Sequence, residues 1–251
     1  MLEPPRRERM LNVPAVVVGL VVVLGLIHAA LVLLPSQQSD ELLGLFAFIP
    51  ARYDASITSD VAWPGGWGAD IWTFVTYALI HSNISHLVFN VIWLLAFGSP
   101  VALRFGPSRF LAFMAVTAAA GAATHLALHF GELLLMIGAS AAISGTMAAA
   151  IRFAFQRGGP LGLLRDPEQA HRVPAASLSE CLRDRRVLIF LVVWFGSNIV
   201  FGLFATMLPG VQHAVAWEAH VGGFVAGLLL FSMFDPIPRA PVHADGATSA
   251  R

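Results

Sequence analysis

Charge is scarce in this chain. Only 12% of its 251 residues are Asp, Glu, Lys or Arg, against about 25% in an average soluble domain, and 57% are hydrophobic. That balance excludes an ordinary water-soluble globule and puts the chain in a bilayer. Lysine is absent, so all 15 basic residues are arginine. The formal net charge is zero, which gives no global field to draw the chain to nucleic acid. A single cysteine, Cys181, rules out an internal disulfide and cannot by itself build a thiolate metal site. No HExxH occurs anywhere, which removes the usual helical zinc-peptidase pattern.

What is present is a set of apolar runs of membrane-spanning length. The first, 11–34, follows Arg6, Arg7 and Arg9. At ~1.5 Å per residue it reaches about 36 Å, whereas a secretory h-region has only ~7–15 apolar residues. No small-residue cleavage pattern follows closely, so the run is expected to be a retained first span. Further spans are expected at about 82–101, 108–128, 138–155, 187–207 and 214–234, the second opening with Ser82 or Asn83 as N-cap. The long connection 35–81 mixes acidic residues, the apolar stretch 42–49 and Trp63-Pro64-Gly65-Gly66-Trp67, which reads as a structured interfacial loop. Pro236 and Pro238 end the pattern and leave a polar tail over 236–251. The expected fold is therefore all-α: a cytoplasmic segment 1–10, then one six-span membrane domain over 11–235.

Arginine orients the bundle. With both termini cytoplasmic, every arginine except Arg52 falls on the inner side, the distribution that the positive-inside rule demands. Spans two, four and six then all begin at the external face. Their first turns carry His86 and Asn90, Ser140, and His220. Polar side chains in a membrane are costly and mark functional sites, and here three helices bring them to one depth.

The chemistry open to that set starts at Ser140, at a helix start on a glycine-supported turn after Gly138. A hydroxyl needs a base to act as a nucleophile, and His220 is the candidate. Gly223 and Gly227 form a small face beside His220, and Ala141, Gly145 and Ala148 form another on span four. Two such faces permit close helix approach, enough to bring the serine oxygen within ~3 Å of the imidazole. The alternative is that these residues only pack: small side chains at a helix contact and a hydrogen-bonded core histidine. His86 and Asn90 lie four apart on one helix face and both can donate to a developing oxyanion. The backbone N–H of Ser140 is a natural third donor. Glu218, two positions from His220, points to another side, so a Ser–His dyad is expected rather than a triad. Metal chemistry is not expected: His125 and His129 have the i,i+4 spacing of a ligand pair, but no carboxylate is expected at the required depth. His81, five before His86, is expected in the loop.

His81, His86 and Asn90 around the second span resemble the rhomboid intramembrane serine proteases. So do Gly138-Ala139-Ser140 opening the fourth span and Ala219-His220-Val221-Gly222-Gly223-Phe224 in the sixth. Trp72-Thr73-Phe74-Val75-Thr76-Tyr77 is similar to the family's entry to span two, and the resemblance covers about 70–235. It implies a six-helix bundle with a water-accessible cavity, Ser140 as nucleophile, His220 as general base, and His86 and Asn90 lining the oxyanion site. It also implies single-span membrane proteins as substrates, membrane lipid as surroundings, no cofactor, and a mobile loop near 208–215. Three departures are visible: Ala141 where the family usually has Gly, Ser144 where an aromatic often stacks on the histidine, and Ala102 in place of a common Glu. Ser144-Gly145 is an alternative serine–glycine pair, although Ser144 lies ~6 Å deeper along the helix.

A catalytically inactive relative that binds membrane spans is the competing reading, but loss of Ser140 or His220 is expected of such a protein. A transporter would carry ionisable residues through the inner halves of the spans, which are nearly free of them. All-arginine usage in a compact chain points to a bacterial inner membrane.

Overall fold

The computed structural model describes residues 13–58, 63–162, 169–204 and 216–238. The arginine cluster Arg6, Arg7 and Arg9, the 208–215 loop and most of the C-terminal tail lie outside them. Among the described residues the chain is helical, with one isolated antiparallel bridge, Phe48 to Met136.

In chain order, α1 spans Ala15–Leu33 and α2 Ser36–Phe46. A 3-10 turn, Pro50–Tyr53, leads through α3, Ala55–Thr58, to α4, Gly66–Thr76. The connection expected to be a structured loop is thus largely helical. Its one basic residue, Arg52, is buried and donates to the carbonyls of Gly44 (2.6 Å) and Pro64 (3.1 Å). Next come α5, Ile84–Trp93, a π-turn, Leu94–Gly98, and α6, Ser99–Phe105. These three pieces run on as one apolar helix, Ile84–Phe105, four residues beyond the predicted end at 101. Pro100 lacks an N–H and cannot sit inside a regular α-helix without cost. The π-turn just before it is the local rewinding that carries the helix through.

Gly106, at φ +78°, breaks that helix and turns the chain into α7, Pro107–Leu128. Then follow α8, Ser140–Ile151; α9, Leu178–Cys181; α10, Arg185–Phe204; and α11, Trp217–Phe234. Helices therefore occupy all six regions where spans are expected. Among the described residues, α1, Ile84–Phe105, α7 and α11 are long and apolar enough to cross a membrane, while α8 is a shorter apolar helix. It begins two residues after the predicted start at 138 and stops four before the predicted end at 155, where residues 152–155 leave the helix in turns. In the 156–186 connection, where the sequence shows no motif, Ser177 and Glu180 form a reciprocal capping box that starts α9. The Ser177 backbone N–H, then its hydroxyl, hold the Glu180 carboxyl below the usual range.

The centre of the bundle is the contact of α8 with α7 and α11. Almost all of α8 is buried. A Cβ on Gly223 would strike the backbone carbonyl of Ala141, and one on Gly227 would lie 2.5 Å from the carbonyl oxygen of Gly145. A Cβ on Gly121 of α7 would meet the Ala141 side chain at 2.6 Å and the Ala219 carbonyl at 2.8 Å. Backbone therefore rests on backbone along this seam, as small residues permit in membranes. Away from the seam, large rings fill the core: Trp194 of α10 stacks on Phe224 of α11 with centroids 4.5 Å apart.

The opposite end is closed by buried arginines. Arg104 makes a two-pronged pair with Asp235, both contacts at 2.8 Å, and also donates to the carbonyls of His171 and Val173. Its guanidinium lies 4.6 Å from the Phe153 ring. Both partners are shielded, with side-chain exposures of 0% and 7%. Asp235→Ala leaves that guanidinium buried with half its partners removed, an error of about 3–5 kcal/mol. We expect a clear drop in the thermal unfolding midpoint of the detergent-solubilised protein, with Asp235→Glu recovering part of it.

Candidate active site

Ser140 is presented by a loop that other segments clamp. Phe48 and Met136 exchange backbone hydrogen bonds (3.1 and 2.8 Å), Ala51 N–H donates to Glu132 carbonyl at 2.9 Å, and Gly138 N–H donates to Tyr77 carbonyl at 3.0 Å. Gly138 has φ +119°, a conformation that side-chain-bearing residues rarely adopt. This turn brings the chain into α8 with Ser140 as first helical residue, so the first N–H groups of the helix, Ser140 among them, have no intrahelical acceptor.

His220, one turn into α11, lies across the glycine seam. Its Nε2 is 2.6 Å from Ser140 Oγ. Its Nδ1 is 2.6 Å from Oδ1 of Asn198 on α10. The proton positions follow from the partners. Asn198 Nδ2 donates to the Trp194 carbonyl at 2.8 Å, which fixes the amide so that Oδ1 faces the imidazole. An amide oxygen only accepts, so Nδ1 carries the hydrogen and Nε2 is left as the acceptor for the Ser140 hydroxyl. That is the tautomer a general base requires.

The other wall of the site comes from α5. Asn83 caps the helix by accepting from His86 N–H at 2.9 Å. His86 Nδ1 lies 3.2 Å from Ser82 Oγ, and Ser82 Oγ accepts from Asn83 Nδ2 at 3.2 Å. In the tautomer where the Ser82 hydroxyl donates to Nδ1, Nε2–H is the free donor. It points at the Gly138 turn: a Cβ on Gly138 would sit 2.7 Å from His86 Nε2 and 3.8 Å from Ser140 Oγ. Glycine at 138 is what lets the imidazole edge approach the serine. Asn90, one turn on, is buried and donates from Nδ2 to the His86 carbonyl at 2.9 Å. His81 lies in the loop before α5, as expected, and is buried there with its ring edge-on to His86 at 5.0 Å.

Ser144, the alternative serine, is buried and donates its hydroxyl to the Ser140 carbonyl at 2.8 Å, a local back-bond within the helix. Gly145, Gly223 and Gly227 lie in the seam that sets the Ser140–His220 distance.

Two features escaped sequence reasoning. Asn198 is a lone amide in an apolar run, with no spacing that relates it to His220; only the packing of α10 on α11 joins them. The second corrects the reasoning that dismissed a metal. Glu218 is buried at the level of His125, its Oε1 2.6 Å from His125 Nδ1 and 3.4 Å from His129 Nε2. A carboxylate therefore does reach the His125–His129 pair, and His125 is buried.

Asn198→Ala removes one hydrogen bond to the imidazole and frees its tautomer. With a bond of this kind to a charged imidazolium worth about 1.5–3 kcal/mol, we expect the rate at which a fluorophosphonate modifies Ser140 to fall roughly 10–100-fold, and Asn198→Asp to retain more of that reactivity than Asn198→Ala.

These helices and this serine–histidine contact define the class: a helical integral membrane protein with a serine and a histidine paired inside the bundle. A family model for the Rhomboid domain matches residues 68–235. The chain belongs to the rhomboid family. It is 25% identical over 179 residues to the rhomboid protease GlpG of Yersinia pestis, covering 70% of this chain and 54% of that protein. The GlpG of Photorhabdus laumondii is 26% identical over 183 residues, covering 70% and 52%. The chain thus matches about half the length of these curated relatives.

Proposed function

We propose that the chain is an intramembrane serine endopeptidase that hydrolyses peptide bonds in or near the membrane span of single-span proteins. The observation that carries this reading is the 2.6 Å contact between Ser140 Oγ and His220 Nε2. Ser140 attacks the scissile carbonyl as His220 takes its proton, and Asn198 steadies the imidazolium that forms. The developing oxyanion is received by the Ser140 N–H, by His86 Nε2–H and, one turn on, by the Asn90 amide. Each fixed donor of this kind is worth about 3–4 kcal/mol in the transition state. His220 then gives the proton to the leaving amine, and water hydrolyses the Ser140 ester with His220 again as base. No cofactor is needed for these steps.

A helical substrate span hides its peptide carbonyls, so the cleaved segment must unwind into the site. In the proposed arrangement six spans cross a bacterial inner membrane, both termini are cytoplasmic and the site opens to the outer side. The placement of arginine supports this orientation.

The test is reconstitution of the full chain in liposomes with a reporter carrying one membrane span. Peptide mass spectrometry should find one cut near the outer end of that span. A reporter that co-purifies uncut at every pH and lipid composition tried would leave a binding relative in place of an enzyme.

A further inference from the structure

We propose that His125, His129 and Glu218 form a binding site for a divalent transition-metal cation of the zinc type, joining the end of α7 to the start of α11. One ligand atom from each residue lies within 4.8 Å of the others. His125 and Glu218 are buried, and His129 is half-exposed, so the cluster is protected on one side and open to an entering ion on the other.

The donor set fits that cation class. Two imidazoles and one carboxylate suit zinc and its neighbours, whereas calcium and magnesium prefer oxygen alone. Bonds of ~2.0–2.1 Å in a tetrahedron put ligand atoms about 3.3–3.4 Å apart. The His129 Nε2 to Glu218 Oε1 distance is already 3.4 Å. The His125 Nδ1 to Glu218 Oε1 contact, 2.6 Å, must open by less than 1 Å. The widest separation, 4.8 Å, closes by a rotation of the half-exposed His129. Water supplies the fourth ligand from the half-exposed His129 side.

Two further observations point to a cation. His129 turns its other nitrogen, Nδ1, to Glu132 Oε2 at 3.1 Å. A carboxylate behind a ligating histidine orients the ring and raises its donor strength. His125 lies in the last turn of α7 and His129 caps its C-terminus, where the helix dipole favours positive charge. Bound metal would clasp α11 two residues before His220. It takes no part in bond cleavage, and the proposal stands apart from the peptidase reading.

The test uses the full chain in nanodiscs, purified through a tag without histidine and stripped with a chelator. Zinc chloride is titrated calorimetrically, and cobalt(II) is used as a visible-absorption probe. The expected result is one saturable site per chain, tetrahedral cobalt bands, and a zinc-dependent rise of several degrees in the unfolding midpoint. His129→Ala should weaken binding by at least about 100-fold and Glu132→Gln by about 10-fold. His129 sits at a helix end, and an unfolding midpoint of His129→Ala unchanged in chelator would show that this variant folds. Binding equal in wild type and His129→Ala would place the metal elsewhere and overturn the proposal, as would the absence of any saturable site.

Discussion

Ser140→Ala is expected to lower cleavage of a reconstituted single-span reporter by at least about 10⁴-fold, the scale on which removal of a serine nucleophile acts. Ser144→Ala is expected to stay within about threefold of wild type. The contrast rests on where the two hydroxyls point. Ser140 Oγ is 2.6 Å from His220 Nε2, whereas Ser144 Oγ is bonded to the Ser140 carbonyl one turn back. Losing that back-bond alters one local contact within a helix. A fluorophosphonate probe gives an independent readout, because it labels only an activated serine. The label should map to Ser140 by mass spectrometry and disappear in His220→Ala. Full cleavage by Ser140→Ala, with loss in Ser144→Ala, would transfer the nucleophile to Ser144.

Gly223→Leu is expected to abolish cleavage and to destabilise the bundle by about 3 kcal/mol or more, at or beyond the upper end of ordinary overpacking. The neighbour that a Cβ meets at 223 is the Ala141 backbone carbonyl, which has no rotamer to change. The helices must separate, and the Ser140–His220 contact is lost with them. Gly19→Leu is the control. Nothing lies within 4 Å of a Cβ there, so its unfolding midpoint and cleavage should match wild type. Equal behaviour of the two variants in circular dichroism melts and in cleavage would show that the seam is not what holds the site together.

Much of this fold is legible in the chain because the bilayer imposes a coarse rule. Apolar length gives the positions of the helices, and the small residues on α8 and α11 foretell the close seam between them. Ser140, His86, Asn90 and His220 stand out because polar groups are rare in such runs. Asn198 does not, since a single amide in an apolar helix has no periodic partner and is related to His220 only by packing. Glu218 and His125 lie 93 positions apart, beyond any local spacing rule. The rewinding at 94–98 was hidden as well: Pro100 signals an interruption, but whether a helix kinks, stops or inserts a residue depends on what it packs against. Helix ends shifted for a similar reason, as caps and turns rather than hydropathy decide where α8 ends and α6 stops.

The seam between α8 and α11 also bears on how the protein is made. Ser140 and His220 are 80 positions apart, and α11 follows α8 in the chain. During synthesis the helix that carries Ser140 is therefore made well before the one that carries His220. On the proposed peptidase reading, Ser140 lacks its partner base until the glycines of α11 seat against Ala141 and Gly145. The order of synthesis then does the work that a removable propeptide does in secreted proteases.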